Sequence, residues 1–252
     1  MGMYFQQAFI LDNWLNILAL VWFLVCFNGY MAYSRVKSYS TPCLASVMHI
    51  YRTEWMRRML TRDNRIADTT AISNLERSVS FFASTTILVM AGILTVMSST
   101  EQVISLIEDL PFAMAATRKE WELKLLVMLL LFVYAFFKFT WSLRQYGFAS
   151  VMVGGAPALG EGLSEREMEA HAARVAKMTS MAANSFNLGL RSYYFSIAIL
   201  SWIINPWLFM VLSAVIVFVL YRREFRSSTL TTLMMSSELN RPVISNIDNG
   251  TQ

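Results

Sequence analysis

The chain has 252 residues, 56% of them hydrophobic and 13% aromatic, with a formal net charge of +4 and a positive mean hydropathy. These values exclude the balance of an ordinary soluble domain. With only two cysteines, a four-cysteine metal site is excluded and a disulfide framework is argued against. The positive charge follows the segments between apolar runs, as membrane insertion requires, and does not mark a nucleic-acid surface.

The first apolar run is 11–33, LDNWLNILALVWFLVCFNGYMAY. About 20 apolar residues cross a bilayer core, so this run is long enough for one span. Its lead-in is uncharged apart from Asp12. The segment behind it carries Arg35, Lys37, Arg52, Arg57, Arg58, Arg62, Arg65 and Arg77. Cations are retained on the cytoplasmic side, which puts the N-terminus outside and this loop inside. A second span is expected at 75–97. It leads into a comparatively acidic outer loop, where Glu101, Glu108, Asp109, Glu120 and Glu122 outnumber Arg118, Lys119 and Lys124. A third span at 123–143 returns the chain to the cytoplasm.

Residues 192–221 form a long uncharged stretch. As one straight helix it would be about 45 Å long, against a hydrocarbon core of roughly 30 Å. Asn205-Pro206 interrupts it near the middle. The sequence therefore predicts a tight hairpin with spans at 186–204 and 206–221, which leaves Arg222, Arg223 and Arg226 inside. A single kinked helix would put that basic cluster outside, so five crossings are favoured over four.

Two cytoplasmic helices read as amphipathic. Thr41-Pro42 is a start signal, an N-cap followed by proline at the first helical position. Leu44, Met48, Tyr51, Trp55 and Met59 then share a face. This helix is expected to lie at the inner headgroup surface, with Trp55, Arg57 and Arg58 as anchors, or to dock on a partner. A glycine-rich linker from Gly154 to Gly162 precedes the second helix, where Ser164 and Glu167 have capping-box spacing. There Met168, Ala172, Val175, Ala182 and Phe186 share roughly one face, and the small residues allow close helix approach within the protomer or between copies. The tail, 227–252, lacks periodicity and is read as mobile. The fold class is an all-α polytopic membrane bundle. It has one transmembrane domain over 1–226, about five crossings and two amphipathic cytoplasmic helices.

Several segments together resemble the family of bacterial and plant membrane proteins designated domain of unknown function 599. They are 52–87 (RTEWMRRMLTRDNRIADTTAISNLERSVSFFASTTI), 138–146 (KFTWSLRQY), 187–210 (NLGLRSYYFSIAILSWIINPWLFM) and the ending YRREFRS at 221–227. The resemblance implies a multi-span α-helical protein of the bacterial inner membrane and supplies no activity.

Intramembrane ionisable residues are the default functional suspects, because charge inside a span is costly. Tyr134, Lys138, Trp141 and Gln145 fall at helical spacing on the third span, near its cytoplasmic end. Asn187, Arg191 and Tyr194 do so on the fourth, and Asn74, Arg77 and Ser78 on the second. Topology brings Lys138, Arg191 and Arg77 to one membrane level, with Asp68 and Glu76 available to neutralise them. One reading is that these cations, with Arg144, snorkel to the headgroups. The other is a basic vestibule that takes an anion, an acidic lipid headgroup or a permeating solute.

Other features point to structure. His49 and His171 stand alone, without metal-ligand spacing. Glu165, Glu167 and Glu169 suit a helix start. Asn249-Gly250-Thr251 has sequon form in a cytoplasmic tail. No enzyme activity, cofactor, metal or nucleic acid is expected. The leading expectation is a homo-oligomeric ion or solute channel of the bacterial inner membrane, surrounded by anionic lipid, with its C-terminus cytoplasmic. The alternative is a non-catalytic scaffold or accessory subunit that docks partners through its cytoplasmic helices.

Overall fold

The structure, a computed structural model, describes residues 14–99, 101, 104, 117–158, 161 and 164–235. Asp12, Glu108, Asp109, Gly160, Gly162, the sequon and the tail beyond 235 lie outside the described residues. All regular structure among the described residues is helical: α1 (Trp14–Ser40), α2 (Leu44–Leu60), α3 (Ile66–Ser98), α4 (Arg118–Gly154), α5 (Glu165–Ile204), α6 (Pro206–Phe225) and α7 (Ser228–Met234). Helices suit an apolar medium because every backbone polar group is satisfied within the segment. By length and apolarity α1, α3 and α4 are long enough to cross a membrane.

Several helices exceed the expected spans. α3 begins before residue 75 and α4 continues to Gly154. α5 runs unbroken from Glu165 to Ile204, joining the expected amphipathic helix to the expected fourth span. Its start is as read: Glu167 N–H donates to Ser164 Oγ at 3.3 Å and Ser164 N–H to Glu167 Oε2 at 2.9 Å. The start of α2 differs. Its N-cap is Cys43, two residues past the expected Thr41, and Cys43 N–H donates to Ser46 Oγ at 3.0 Å.

Internal contacts divide the chain into two compact units, the first comprising Met1–Lys37, Val89–Phe132 and Arg191–Tyr221. Its core is aromatic. Phe23 meets Phe195 edge-on at 5.7 Å and Phe209 at 5.2 Å, and Trp202 stacks on Phe209 at 4.8 Å. Contacts along α1 fix helix directions. Asn16 meets Trp202, Phe27 meets Phe195 and Ser34 meets Arg191, so α5 runs antiparallel to α1. Trp22 meets Met210 and Tyr33 meets Tyr221, so α6 runs parallel to α1. The chain therefore reverses between α5 and α6. Asn205 Oδ1 accepts from Trp207 N–H at 2.8 Å, and Pro206 at the first helical position has no N–H to leave unsatisfied.

The second unit comprises Ser38–Leu88, Val133–Leu190 and Arg222–Gln252. Here α2 packs antiparallel to the start of α5, with His49 beside Ser180 and Arg57 beside Glu169. The short helix α7 stands where the sequence shows no periodicity. Ser227 Oγ caps it by accepting from Leu230 N–H at 3.1 Å, Leu230 is buried, and Tyr51 donates to the Leu233 carbonyl at 3.0 Å.

The small residues of α5 resolve an open question. Ala172, Ala176, Thr179, Ala182, Ser185 and Gly189 recur every three or four residues and all are buried in the second unit. They face inward within the protomer. Ser142 Oγ on α4 donates to the Ala182 carbonyl at 2.7 Å. A Cβ placed on Gly189 would lie 2.5 Å from the Phe139 ring. That ring is fully buried between Phe82 and Phe186, at 5.7 and 5.6 Å, and has little room to yield. Gly189→Ala should therefore cost about 1–3 kcal/mol, the range for overpacking a filled core. A thermal midpoint in detergent measures it, and adding Phe139→Leu should recover part of the loss.

Candidate functional site

Arg191 lies in the first unit and turns toward α1. Its Nη1 donates to Ser34 Oγ at 2.9 Å, and its guanidinium sits 5.1 Å from the Tyr30 ring centre. Tyr194, one helical turn closely behind, is half-buried. Sequence reasoning missed the companion cation at this end of the unit. Lys37 donates to Tyr33 Oη at 2.7 Å and to Tyr221 Oη at 3.4 Å, and stands over both rings. The signal was available, since Tyr33 and Lys37 are one helical turn apart.

In the second unit the expected stripe on α4 divides. Lys138 is half-buried and lies 5.2 Å from the Tyr134 ring centre, a cation–π contact one turn back. Gln145 is buried. With its amide oriented to suit its neighbours, Nε2 donates to Ser185 Oγ at 2.8 Å and the Met181 carbonyl at 3.1 Å, while Oε1 accepts from Trp141 Nε1 at 3.2 Å. Trp141 itself is exposed, and so is Arg144, whose guanidinium packs 5.5 Å from the Phe148 ring. On α3 the buried stripe is Asp68, Ile72, Val79, Ala83 and Thr86. Asn74 and Arg77 lie off that stripe and are exposed, as Asn187 is on α5.

The α2 residues expected to anchor the membrane surface are engaged inside the protein. Trp55 Nε1 donates to Asp68 Oδ1 at 2.7 Å, and Arg62 pairs with the same oxygen at 2.6 Å. Trp55 is therefore a tie between α2 and α3. The buried side of α2 carries Val47, Met56, Met59 and Leu60, so of the expected face Met59 is fully buried. Arg57 Nε donates to both Glu169 oxygens at 2.8 and 3.0 Å, and Arg58 pairs with Glu54 at 2.7 Å. The Arg57 hydrogen bonds hold the Glu169 carboxyl below the usual carboxylate range.

Asp68 is 2% exposed, and its Oδ2 has no hydrogen-bond partner. The nearby Arg65 closes the linker after α4 by donating to the Ala156 carbonyl at 2.7 Å and to the Pro157 carbonyl. His171 similarly holds the Met152 carbonyl at 3.1 Å. His49 Nδ1 lies 2.9 Å from Ser180 Oγ, a pairing the sequence did not reveal. Serine and histidine form a nucleophile–base pair when a carboxylate orients the ring. Here the charges acting on the imidazole are Lys177 and Arg52, and burial together with those cations holds His49 below its ordinary value. The pair is a helix-to-helix tie. Among the described residues no group of His, Cys, Asp or Glu could hold a metal ion.

Two measurements follow. Asp68→Ala strands Arg62 and the Trp55 indole, and should cost about 1–3 kcal/mol, whereas Glu54→Ala on the exposed side of α2 should cost under about 1 kcal/mol. For His49 the folded state binds its proton less readily than the unfolded chain. Stability should thus fall as pH drops through the unfolded value of about 6.5 toward the lower folded one, and stay level above it. The thermal midpoint of His49→Gln should decline less than wild type between about pH 7 and pH 5.

The family model described as protein of unknown function, DUF599, matches residues 18–229, and the chain belongs to that family. No curated protein and no solved structure matches it.

Proposed function

We propose that this DUF599 member is an integral protein of the bacterial inner membrane that acts as a homo-oligomer, with an ion or solute pathway between its copies and a basic cytoplasmic mouth. The observation that carries this reading is the exposed side of α3 in the second unit. There Ser73, Asn74, Arg77, Ser78, Ser80 and Ser84 lie among Phe81 and Leu88. Polar groups facing lipid are costly. A surface of that composition on an apolar helix is best covered by a second copy, by water, or by both.

Arg144 and Asn187, exposed on α4 and α5, supply further polar groups to such a mouth. Lys138, whose contact among the described residues is a ring of its own helix, can swing toward it. The reversal at Asn205 supports five crossings over four, with the N-terminus periplasmic and Arg222 and Arg223 in the cytoplasm. This reading assigns no catalytic residue. The scaffold alternative must use what α2 leaves exposed. Arg57 and Arg58 are already paired with Glu169 and Glu54, so a partner would have to displace internal contacts.

In nanodiscs the protein should have a mass that is a multiple of 28.8 kDa. In proteoliposomes Arg77→Gln and Lys138→Met should each lower anion flux several-fold and shift selectivity toward cations. A protomer-sized particle without flux would remove the channel reading, and a second protein retained at fixed stoichiometry would favour the scaffold.

A further inference from the structure

In the first unit a cavity of about 60 Å³ lies among the N-terminal ends of α1 and α4 and the end of α5, lined by Asn16, Leu20, Lys119, Glu120, Lys124 and Trp202, with Ile17 and Leu123 at its edge. At roughly 10–15 Å³ for each water-sized group, it holds about four or five such groups. Its lining is almost wholly apolar. Of the polar residues in the wall, Lys124 is the buried cation: it is 4% exposed and has no carboxylate within ion-pair distance among the described residues.

The acid one turn away attracts it electrostatically but makes no ion pair with it. Glu120 Oε2 accepts from Thr117 N–H at 2.7 Å, and Oε1 accepts from Asn16 Nδ2 at 3.4 Å. Asn16 Oδ1 in turn accepts from Trp202 Nε1 at 3.0 Å. Glu120, Asn16 and Trp202 are thus committed to one another. What remains for Lys124 is the Trp202 ring, 5.8 Å from Nζ. A desolvated cation–π contact contributes about 2 kcal/mol, whereas burying a charge costs several kcal/mol even after relaxation. The ammonium is left needing an anion.

We infer that this cavity is a binding site for an anionic amphiphile, a carboxylate or phosphate group bearing an acyl chain. The head fits the space and meets Lys124, while Lys119 and Glu120, also in the wall, offset one another in charge. The cavity is too small for a chain. Its edge residues Ile17 and Leu123 are 43% and 45% exposed, and Leu18, Leu126 and Leu130 continue that apolar surface along α1 and α4. The chain of the amphiphile lies there, among the bilayer lipids. The site lies about 27 Å along α1 from the Arg191–Ser34 contact, and it shares no residue with the mouth proposed above.

Native mass spectrometry of the purified full chain, titrated with oleate, phosphatidylglycerol, phosphatidylcholine and butyrate, tests the assignment. Oleate or phosphatidylglycerol should be retained at least tenfold more tightly than phosphatidylcholine, and which of the two is preferred identifies the head. Lys124→Met should abolish that preference and Lys124→Arg should keep it. Leu123→Trp, which obstructs the edge while leaving the charge, should weaken binding even if Lys124→Met does not fold. Equal retention of phosphatidylcholine, butyrate binding as tightly as oleate, or undiminished oleate binding by Lys124→Met or Leu123→Trp would each overturn it.

Discussion

Close approach to α5 is the constraint on which the rest of this protein depends. Inside a bilayer the lipid tails are as apolar as leucine, so helices gain little by hiding apolar surface from their surroundings. They gain by packing closely and by satisfying polar groups across the seam. α5 supplies such a seam in its expected span, with Gly189, Ser192 and Ser196 buried, and continues it through Ala172, Ala176, Thr179, Ala182 and Ser185 in the part read as cytoplasmic, all buried too. On this side no bulky side chain separates its backbone from its neighbours. That is how Ser142 reaches the Ala182 carbonyl and how the Phe139 ring comes to lie over Gly189. A larger residue in this row would move α4 away and break both kinds of contact together.

A second theme is the treatment of cations. Lys37, Lys124, Lys138, Arg144 and Arg191 each stand between 5.1 and 5.8 Å from an aromatic ring. Several carboxylates are committed elsewhere: Glu101 and Glu122 to Arg118, Glu54 and Glu169 to α2 arginines, and Asp68 to Arg62 and Trp55. An aromatic neighbour steadies a cation without neutralising it. Such a cation keeps its attraction for headgroups, water or a bound anion, which a carboxylate would have removed.

How much of this was legible follows from what each kind of residue reports. Apolar length announces a helix, and Asn205-Pro206 announces a break, because proline cannot continue the hydrogen-bond ladder from the preceding turn. The Ser164–Glu167 cap was readable since both partners are local. Trp55 was misread because periodicity gives a residue a face without naming what covers it; the cover is Asp68, thirteen residues on and across a turn. The full length of α3 and the union of the amphipathic helix with the fourth span in α5 were not read for a related reason. The added segments, 66–74 and 165–185, carry polar and charged residues and no membrane signature. Arg77 and Asn74 were singled out by charge and position, but their exposure on α3 follows from the stripe the fold buries, Asp68, Ile72, Val79, Ala83 and Thr86, which position alone does not name.

Charge placement sharpens the contrast at the other end of the first unit. In the topology proposed here, Arg118, Lys119 and Lys124 sit on the side where cations are disfavoured during insertion. Arg118 is offset by Glu101 and Glu122, both in hydrogen-bond contact with it. Lys124 has no such direct partner: Glu120, one turn away, attracts it, but that carboxylate caps the helix and holds Asn16. A methionine would fill the same space without the desolvation cost. A lysine at a position that insertion and burial both disfavour is explained most simply by an anion that completes it.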